Sequence, residues 1–244
     1  MQFRSPISDN ELQRLRDCSS REHCPLRDIC ATSGSDPKEL VCPKILQVKR
    51  GDLLWTTRHA EDRVLVFKNG VYLSIGHSVQ GAEVPFCLFG VGGAVGFSDM
   101  FVAKDLRSSY YVRTFLRGEV CSFSAEAIGR ELSKVSKDTV QGLVVSALMD
   151  QCAGAFLVAT IKHQKSVSDK IIALLRCLND LTSRTGAGQT EFKITHEDIA
   201  MVVGVDRTTT TRALNKIAAD KLIQTKYGKV KLLPGGLSNS FNTR

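Results

Sequence analysis

The sequence predicts an α+β protein in three parts: an antiparallel β-roll, a long helix, and a C-terminal winged helix-turn-helix. Three observations carry this. Between about 45 and 125 the chain is a series of short runs rich in Val, Phe, Tyr and Leu, separated by glycines. From about 137 to 164 the β pattern stops and apolar residues recur at spacings of three and four. Near the C-terminus, "ITHEDIAMVVGVDRTTTTRALNKI" places a glycine between two helices that each begin with a capping residue.

The predicted organisation is a helix and cysteine-rich loop over 1–44, the roll over 45–135, the long helix over 136–165, and the winged helix-turn-helix over 166–244. A chain of 244 residues, 43% of them apolar, is long enough to bury a core in each larger part. The net charge of +8 and the isoelectric point near 9.1 suit a polyanionic partner. "MQFRSPISDN" carries no apolar leader, and no run of 18 apolar residues is read, so neither secretion nor a membrane span is expected. In a reducing cytoplasm, eight cysteines then pose a question of metals, redox chemistry or packing.

In the first part, Ser8 and Glu11 frame a short helix in "ISDNELQRLRD" as a capping box. Cys18, Cys24, Cys30 and Cys42 follow, among prolines that favour irregular chain. In the roll, Asn69-Gly70 between "VLVF" and "VYLSI" reads as a two-residue hairpin turn. "GVGGAVG" is glycine-dense but no helix follows it, so it is not read as a phosphate loop. In the long helix, Val145, Leu148, Cys152, Ala155 and Ala159 form a narrow seam, read as a dimer interface. Cys87, Cys152 and Cys177 stand in apolar runs and are read as packing residues, and His163 as a solvated helix end.

The last part reads as a reader of DNA. Thr195 caps a helix and is counted among the DNA-binding residues, Gly204 supplies the turn, and Asp206 caps a second helix. At 100° per residue, Arg207, Thr211, Asn215, Thr208 and Arg212 share one face about 140° wide. Thr210, Ala213, Leu214 and Ile217 fall on the other side. Arginine offers a bidentate fork to guanine O6 and N7, and Thr and Asn reach bases or phosphates. Behind it, "LIQTKYGKVKLL" reads as a hairpin turning at Tyr227-Gly228, with Lys226, Lys229 and Lys231 near phosphate. From 167 onward there are 12 Lys and Arg against 7 Asp and Glu, so most of the net charge lies where that reading needs it. No grouping of catalytic side chains is found, and no enzyme is expected.

A β-roll, a long helix and a winged helix-turn-helix, in that order, are the parts of the Crp/Fnr family of bacterial transcription regulators. The chain resembles that family from about 45 to 235, through "KRGDLLW", "GGAVGF" and "ITHEDIAMVVGVDRTTTTRALNKI". The resemblance implies a cyclic-nucleotide-binding-like roll in a cytoplasmic homodimer. Its partners would be double-stranded promoter DNA with palindromic half-sites and RNA polymerase, with no membrane. Arg207 and Arg212 match the family's recognition helix. Thr208 replaces the usual glutamate, a better acceptor for cytosine N4, so the operator sequence does not carry over. Where cyclic-nucleotide members hold the ribose with a glutamate, this chain has Phe97, although Arg107-Ser108 survives; cAMP is not expected.

The Fnr branch holds a [4Fe–4S] cluster with three N-terminal cysteines and one late in the roll. Cys121 in "LRGEVCSFS" resembles that late cysteine, and Cys24-x5-Cys30 matches one gap of the trio. Here the thiols follow the first helix rather than precede it, the gap before Cys24 is five residues, and Cys42 is extra. The implied ligands are therefore four of Cys18, Cys24, Cys30, Cys42 and Cys121, serving as a sensor of oxygen or redox state. Zinc on the same thiols, direct thiol redox chemistry, or no metal remain alternatives. So does a small apolar or aromatic effector in the roll, lined by Phe86, Phe89 and Phe97.

Overall fold

Residues 21–27, 30, 43–56, 63–102, 109–184 and 189–237 are described in the computed structural model. The predicted helix over 7–17, Cys18, Cys42 and Arg107-Ser108 lie outside them. The β-rich region forms one six-stranded antiparallel sheet rolled on itself. Its strands are β1 (Lys44–Val48), β2 (Leu53–Thr56), β3 (Arg63–His77), β4 (Glu83–Phe89), β5 (Ala94–Val95) and β6 (Tyr110–Ser124). The main order is β1-β6-β3-β4; β2 also pairs with β6, and β5 with β3. Trp55, Phe67, Tyr72, Phe115 and Phe123 are almost completely buried in it.

The expected hairpin at Asn69-Gly70 is not there. Both residues lie inside β3, a single 15-residue strand paired along its length with β6. What they form is an irregularity: the register shifts between Phe67 and Asn69 and again between Asn69 and Val71. Gly70 has φ +89, and a Cβ there would fall 2.8 Å from the Arg117 carbonyl oxygen. Asn69 Oδ1 accepts from the Glu119 backbone N–H at 2.9 Å. The dipeptide that suits a tight turn also suits a bulge, because both need left-handed backbone and a side chain that bonds main chain.

Two helices carry the chain out of the roll: α1 (Ala125–Leu132) and α2 (Lys137–Lys162). Ser136 caps α2 by accepting from the Thr139 N–H. Ala147, Gly154, Val158 and Ile161 are its buried side. At Gly154 the helix touches β4: a Cβ would meet Cys87 Sγ and the Leu88 carbonyl oxygen at 2.5 Å each. The opposite side is bare. Val145 is 57% exposed, Leu148 45%, Met149 64% and Phe156 67%. Cys152 is exposed as well, so within one chain it is not the packing residue that its apolar run suggests.

This helix is more apolar than the run-based reading of the sequence suggests. It is long and apolar enough to cross a membrane by length and composition, and 22% of its most apolar window is buried. The scattered Ser, Thr, Gln and Asp residues interrupt any purely apolar run, and so hide this property from a simple reading of the sequence.

Beyond a turn, Ser166 caps α3 (Val167–Ser183), and the winged domain follows. It contains β7 (Glu191–Lys193), α4 (His196–Val203), α5 (Arg207–Ala219), β8 (Ile223–Lys226), β9 (Lys229–Leu232) and a final turn α6 (Pro234–Leu237), with sheet order β7-β9-β8. One apolar cluster crosses from roll to winged domain. It joins Leu73, Leu88 and Phe115 to Ile161 and Leu178, and these to Phe192, Ile199, Leu214 and Val230.

Candidate nucleic-acid interface

The helix-turn-helix is assembled by caps. Thr195 accepts from the Asp198 N–H and donates its hydroxyl to Asp198 Oδ2 at 2.6 Å, while Asp198 accepts from the Thr195 N–H at 3.1 Å. This reciprocal box fixes the start of α4. Gly204, at φ 75 and ψ 41, ends it in the left-handed conformation that a side chain disfavours. Val205 packs against the central cluster, and Asp206 accepts from the Thr209 N–H at 2.8 Å to start α5. Those hydrogen bonds from Thr209 hold the Asp206 carboxyl below its ordinary range.

α5 is two-sided. Thr210, Ala213, Leu214 and Ile217 are buried against the domain core. Arg207, Thr208, Arg212 and Asn215 are exposed, on the face that the helical spacing assigns them. Thr211 stands between them and is half-buried. Its hydroxyl donates to the Arg207 carbonyl oxygen at 2.9 Å and lies 2.9 Å from His196 Nδ1. It therefore ties α4 to α5, a contact with no signal in the helical wheel. Thr195 likewise spends its hydroxyl on the cap.

The wing is a two-residue hairpin. Tyr227 (φ 46) and Gly228 (φ 72) are both left-handed, the backbone of the turn that matches the twist of its strands. Tyr227 is 94% exposed at the tip, with Lys226 Nζ 5.9 Å from its ring centroid. Lys226, Lys229 and Lys231 are exposed around it. Lys229 Nζ also pairs with Glu191 Oε1 at 2.6 Å, which lowers the Glu191 carboxyl.

Arg50 and Arg113 are the residues that sequence reasoning missed. Both belong to the roll, and both reach Asp198 in α4, at 2.6 Å and 3.3 Å. Arg113 Nη2 also lies 3.2 Å from Met201 Sδ. A carboxylate that caps α4 is thus shared with the other domain. Nothing in the local pattern of "KRGDLLW" marks that long-range pairing.

Three of the five candidate thiols are described. The chain turns after Cys24: the Arg27 N–H donates to the Cys24 carbonyl oxygen at 3.2 Å, and the Cys30 N–H to that of Leu26 at 2.9 Å. Leu26, 1% exposed, anchors it. Cys24 and Cys30 pack against the same apolar cluster that contains Leu26 and Cys121. Cys121 is buried on β6, opposite Ile45 and Val66. Among the described residues, no three metal-ligating side chains converge on one point. Of the proposed effector ring set, Phe89 and Phe97 are buried in different clusters and Phe86 is 40% exposed. They do not meet as one pocket lining.

Comparison with known proteins agrees with this architecture. Residues 172–234 match the Crp-like helix-turn-helix domain. The chain is 28% identical over 161 residues to the CRP-like protein Clp of Xanthomonas campestris pv. campestris, covering 63% of this chain and 67% of Clp. It is similar in structure to a CRP-family transcriptional regulator from Thermus thermophilus, with TM-score 0.62, 14% identity, and coverage of 82% of this chain and 100% of that one. It is also similar to the c-di-GMP-responsive global regulator CLP of Xanthomonas campestris, with TM-score 0.57, 17% identity, and coverage of 78% and 93%. At these identities the structural likeness establishes the fold: an antiparallel roll, a connecting helix and a C-terminal helix-turn-helix.

Proposed function

We propose that this chain, with its Crp-like helix-turn-helix on a Crp/Fnr-type fold, is a homodimeric, sequence-specific, cytoplasmic DNA-binding transcription regulator. The observation that carries the reading is α5. One side is buried, and the other presents Arg207, Thr208, Arg212 and Asn215 with no competing role in the core. Such a helix enters the major groove with its first turns toward base edges, while the wing lysines meet phosphate. Dimerisation follows from the bare side of α2. Val145, Met149, Cys152, Phe156 and Ala159 repeat every three or four residues, and covering Phe156 alone contributes about 1.5–3 kcal/mol. A second copy of α2 accounts for this stripe better than a bilayer does, because the other side of the helix is packed on β4. Two half-sites held together give the avidity that one helix-turn-helix lacks. RNA polymerase is the further partner that such a regulator addresses.

The signal is proposed to be oxygen or redox state, read through cysteine thiolates. The donor set fits an iron–sulfur cluster in kind, and Cys24, Cys30 and Cys121 share one apolar cluster around Leu26. They would hold a [4Fe–4S] cluster with one of Cys18 and Cys42, and the bound group would supply an oxygen-labile centre. The chain's own part is mechanical. The segment just before Cys24 lies on the roll, so close that a Cβ at Gly92 would collide with the His23 carbonyl oxygen. The same apolar cluster receives Leu143, Val144 and Ala147 of α2. A change at the thiols is thus felt by the dimer helix through direct packing. Anaerobic iron and sulfide analysis tests this: stoichiometric iron, lost in Cys24→Ser and Cys121→Ser, supports the cluster. Iron-free, colourless anaerobic protein refutes it.

A second reading keeps the regulator and makes the trigger a small effector in the roll. Trp55 Nε1, Ser74 Oγ and Thr114 Oγ1 are buried there without a hydrogen-bond partner among the described residues, and such groups cost about 1–3 kcal/mol each. An effector with matching polar groups would satisfy them. The Xanthomonas relative, described as responsive to c-di-GMP, lends this reading support.

A further inference from the structure

A cavity of about 640 Å³ lies between the roll and the winged domain rather than inside either. Its roll wall is Lys49, Arg50, Leu116 and Arg117; its winged wall is Gln189, Glu191, Lys193 and Lys229. Among the described residues, five cations face one carboxylate across a recess whose volume is typical of small-molecule sites. The balance is starker than that count. Glu191 is engaged by Lys229 at 2.6 Å, and Arg50 by Asp198, leaving Lys49, Arg117 and Lys193 with no carboxylate partner among the described residues. Lys193 and Lys229 are also directly opposite each other on neighbouring strands. Like charges in that position destabilise a sheet unless an anion lies between them.

We propose that this cleft binds a small molecule bearing at least two phosphoryl groups, bridging the roll to the winged domain. Lys49 and Arg117 on one wall and Lys193 on the other are more cations than one phosphate needs, and two or more linked phosphoryl groups offer acceptors to both walls. Leu116 gives an apolar floor for the rest of the molecule. Nucleic acid is the weaker occupant. The site is a recess, and none of Arg207, Thr208, Arg212 or Asn215 lines it. The ligand's effect follows from its position. It adds to the Arg50–Asp198–Arg113 contact that already holds α4 to the roll, so it favours the docked arrangement of the two domains. The proposal goes beyond the DNA-binding reading and does not depend on it.

The test uses the full chain without DNA. Inorganic pyrophosphate is titrated calorimetrically into wild type, Arg117→Gln, Lys193→Gln and a distant control, Arg130→Gln, at matched ionic strength. Arg117 and Lys193 are exposed, so neither substitution disturbs the core; thermal melts verify it. Saturable binding near one site per chain is expected, weakened about tenfold by each cleft variant and unchanged in the control. Absence of saturable heat, or wild-type affinity in either cleft variant, overturns the site. So does a short DNA duplex whose binding, unlike that of pyrophosphate, is the one weakened by the two variants.

Discussion

Arg50 of the roll donates to Asp198 of the helix-turn-helix at 2.6 Å, joining residues 148 positions apart through the carboxylate that also caps α4. Asp198 is 8% exposed and therefore mostly desolvated, whereas the Arg50 side chain is 38% exposed and its share of the pair is screened. Local folding of α4 and docking of its domain thus draw on one group. Asp198→Ala should lower stability by about 1–3 kcal/mol, since it removes a cap and strands two guanidinium groups. A double-mutant cycle of Arg50→Ala with Asp198→Asn, read by chemical denaturation, should give a coupling of about 1 kcal/mol that shrinks with salt. Zero coupling at low salt would mean that the two domains dock without this pair.

The exposed stripe on α2 makes a separate prediction. Phe156→Glu and Val145→Glu place charge on the bare side and leave Gly154, Val158 and Ile161 against the roll. Sedimentation should show wild type as a dimer and the variants as monomers that retain the wild-type far-ultraviolet spectrum. Dimeric variants would move the interface elsewhere.

The thiols divide by burial. Burial pushes Cys87 and Cys177 up to about 12, from an ordinary value of 9.0. A thiol whose folded value is raised stays neutral while the unfolded chain ionises. Its contribution is therefore whole below pH 9.0 and is lost as pH rises toward about 12. Stability should fall across that window, and less steeply in a Cys87→Ala, Cys177→Ala variant. At pH 8, iodoacetamide should label Cys152 before either buried thiol in the monomeric Phe156→Glu variant, and more slowly in the wild-type dimer whose interface covers it, as read by peptide mass spectrometry.

Much of this architecture was legible because local chemistry and tertiary role agree. Thr195, Gly204 and Asp206 are punctuation that works over four residues, and the alternation of buried and exposed positions on α5 follows from helical period alone. Asn69-Gly70 failed for the opposite reason. Gly70 does take the left-handed backbone that the dipeptide favours, and Asn69 does not; whether such a glycine turns a chain or bulges a strand is decided by the partner strand, here β6. The exposed stripe of α2 extends beyond the seam that the spacing marks. Small residues mark that seam, while Met149 and Phe156, 64% and 67% exposed, are indistinguishable from core residues until the packed side of α2 is known. The Arg50–Asp198–Arg113 contact and the charged cleft had no sequence signal, because both are made by residues distant in the chain.

The central claim is that the outward side of α5 reads base sequence. Selection from a random duplex pool, at ionic strength low enough for phosphate contacts to hold, tests it most directly. Wild type should enrich a two-fold symmetric site with half-sites about one helical turn apart. An Arg207→Ala, Arg212→Ala variant should stay folded and bind without enriching any sequence. Enrichment of the same site by that variant would contradict the account.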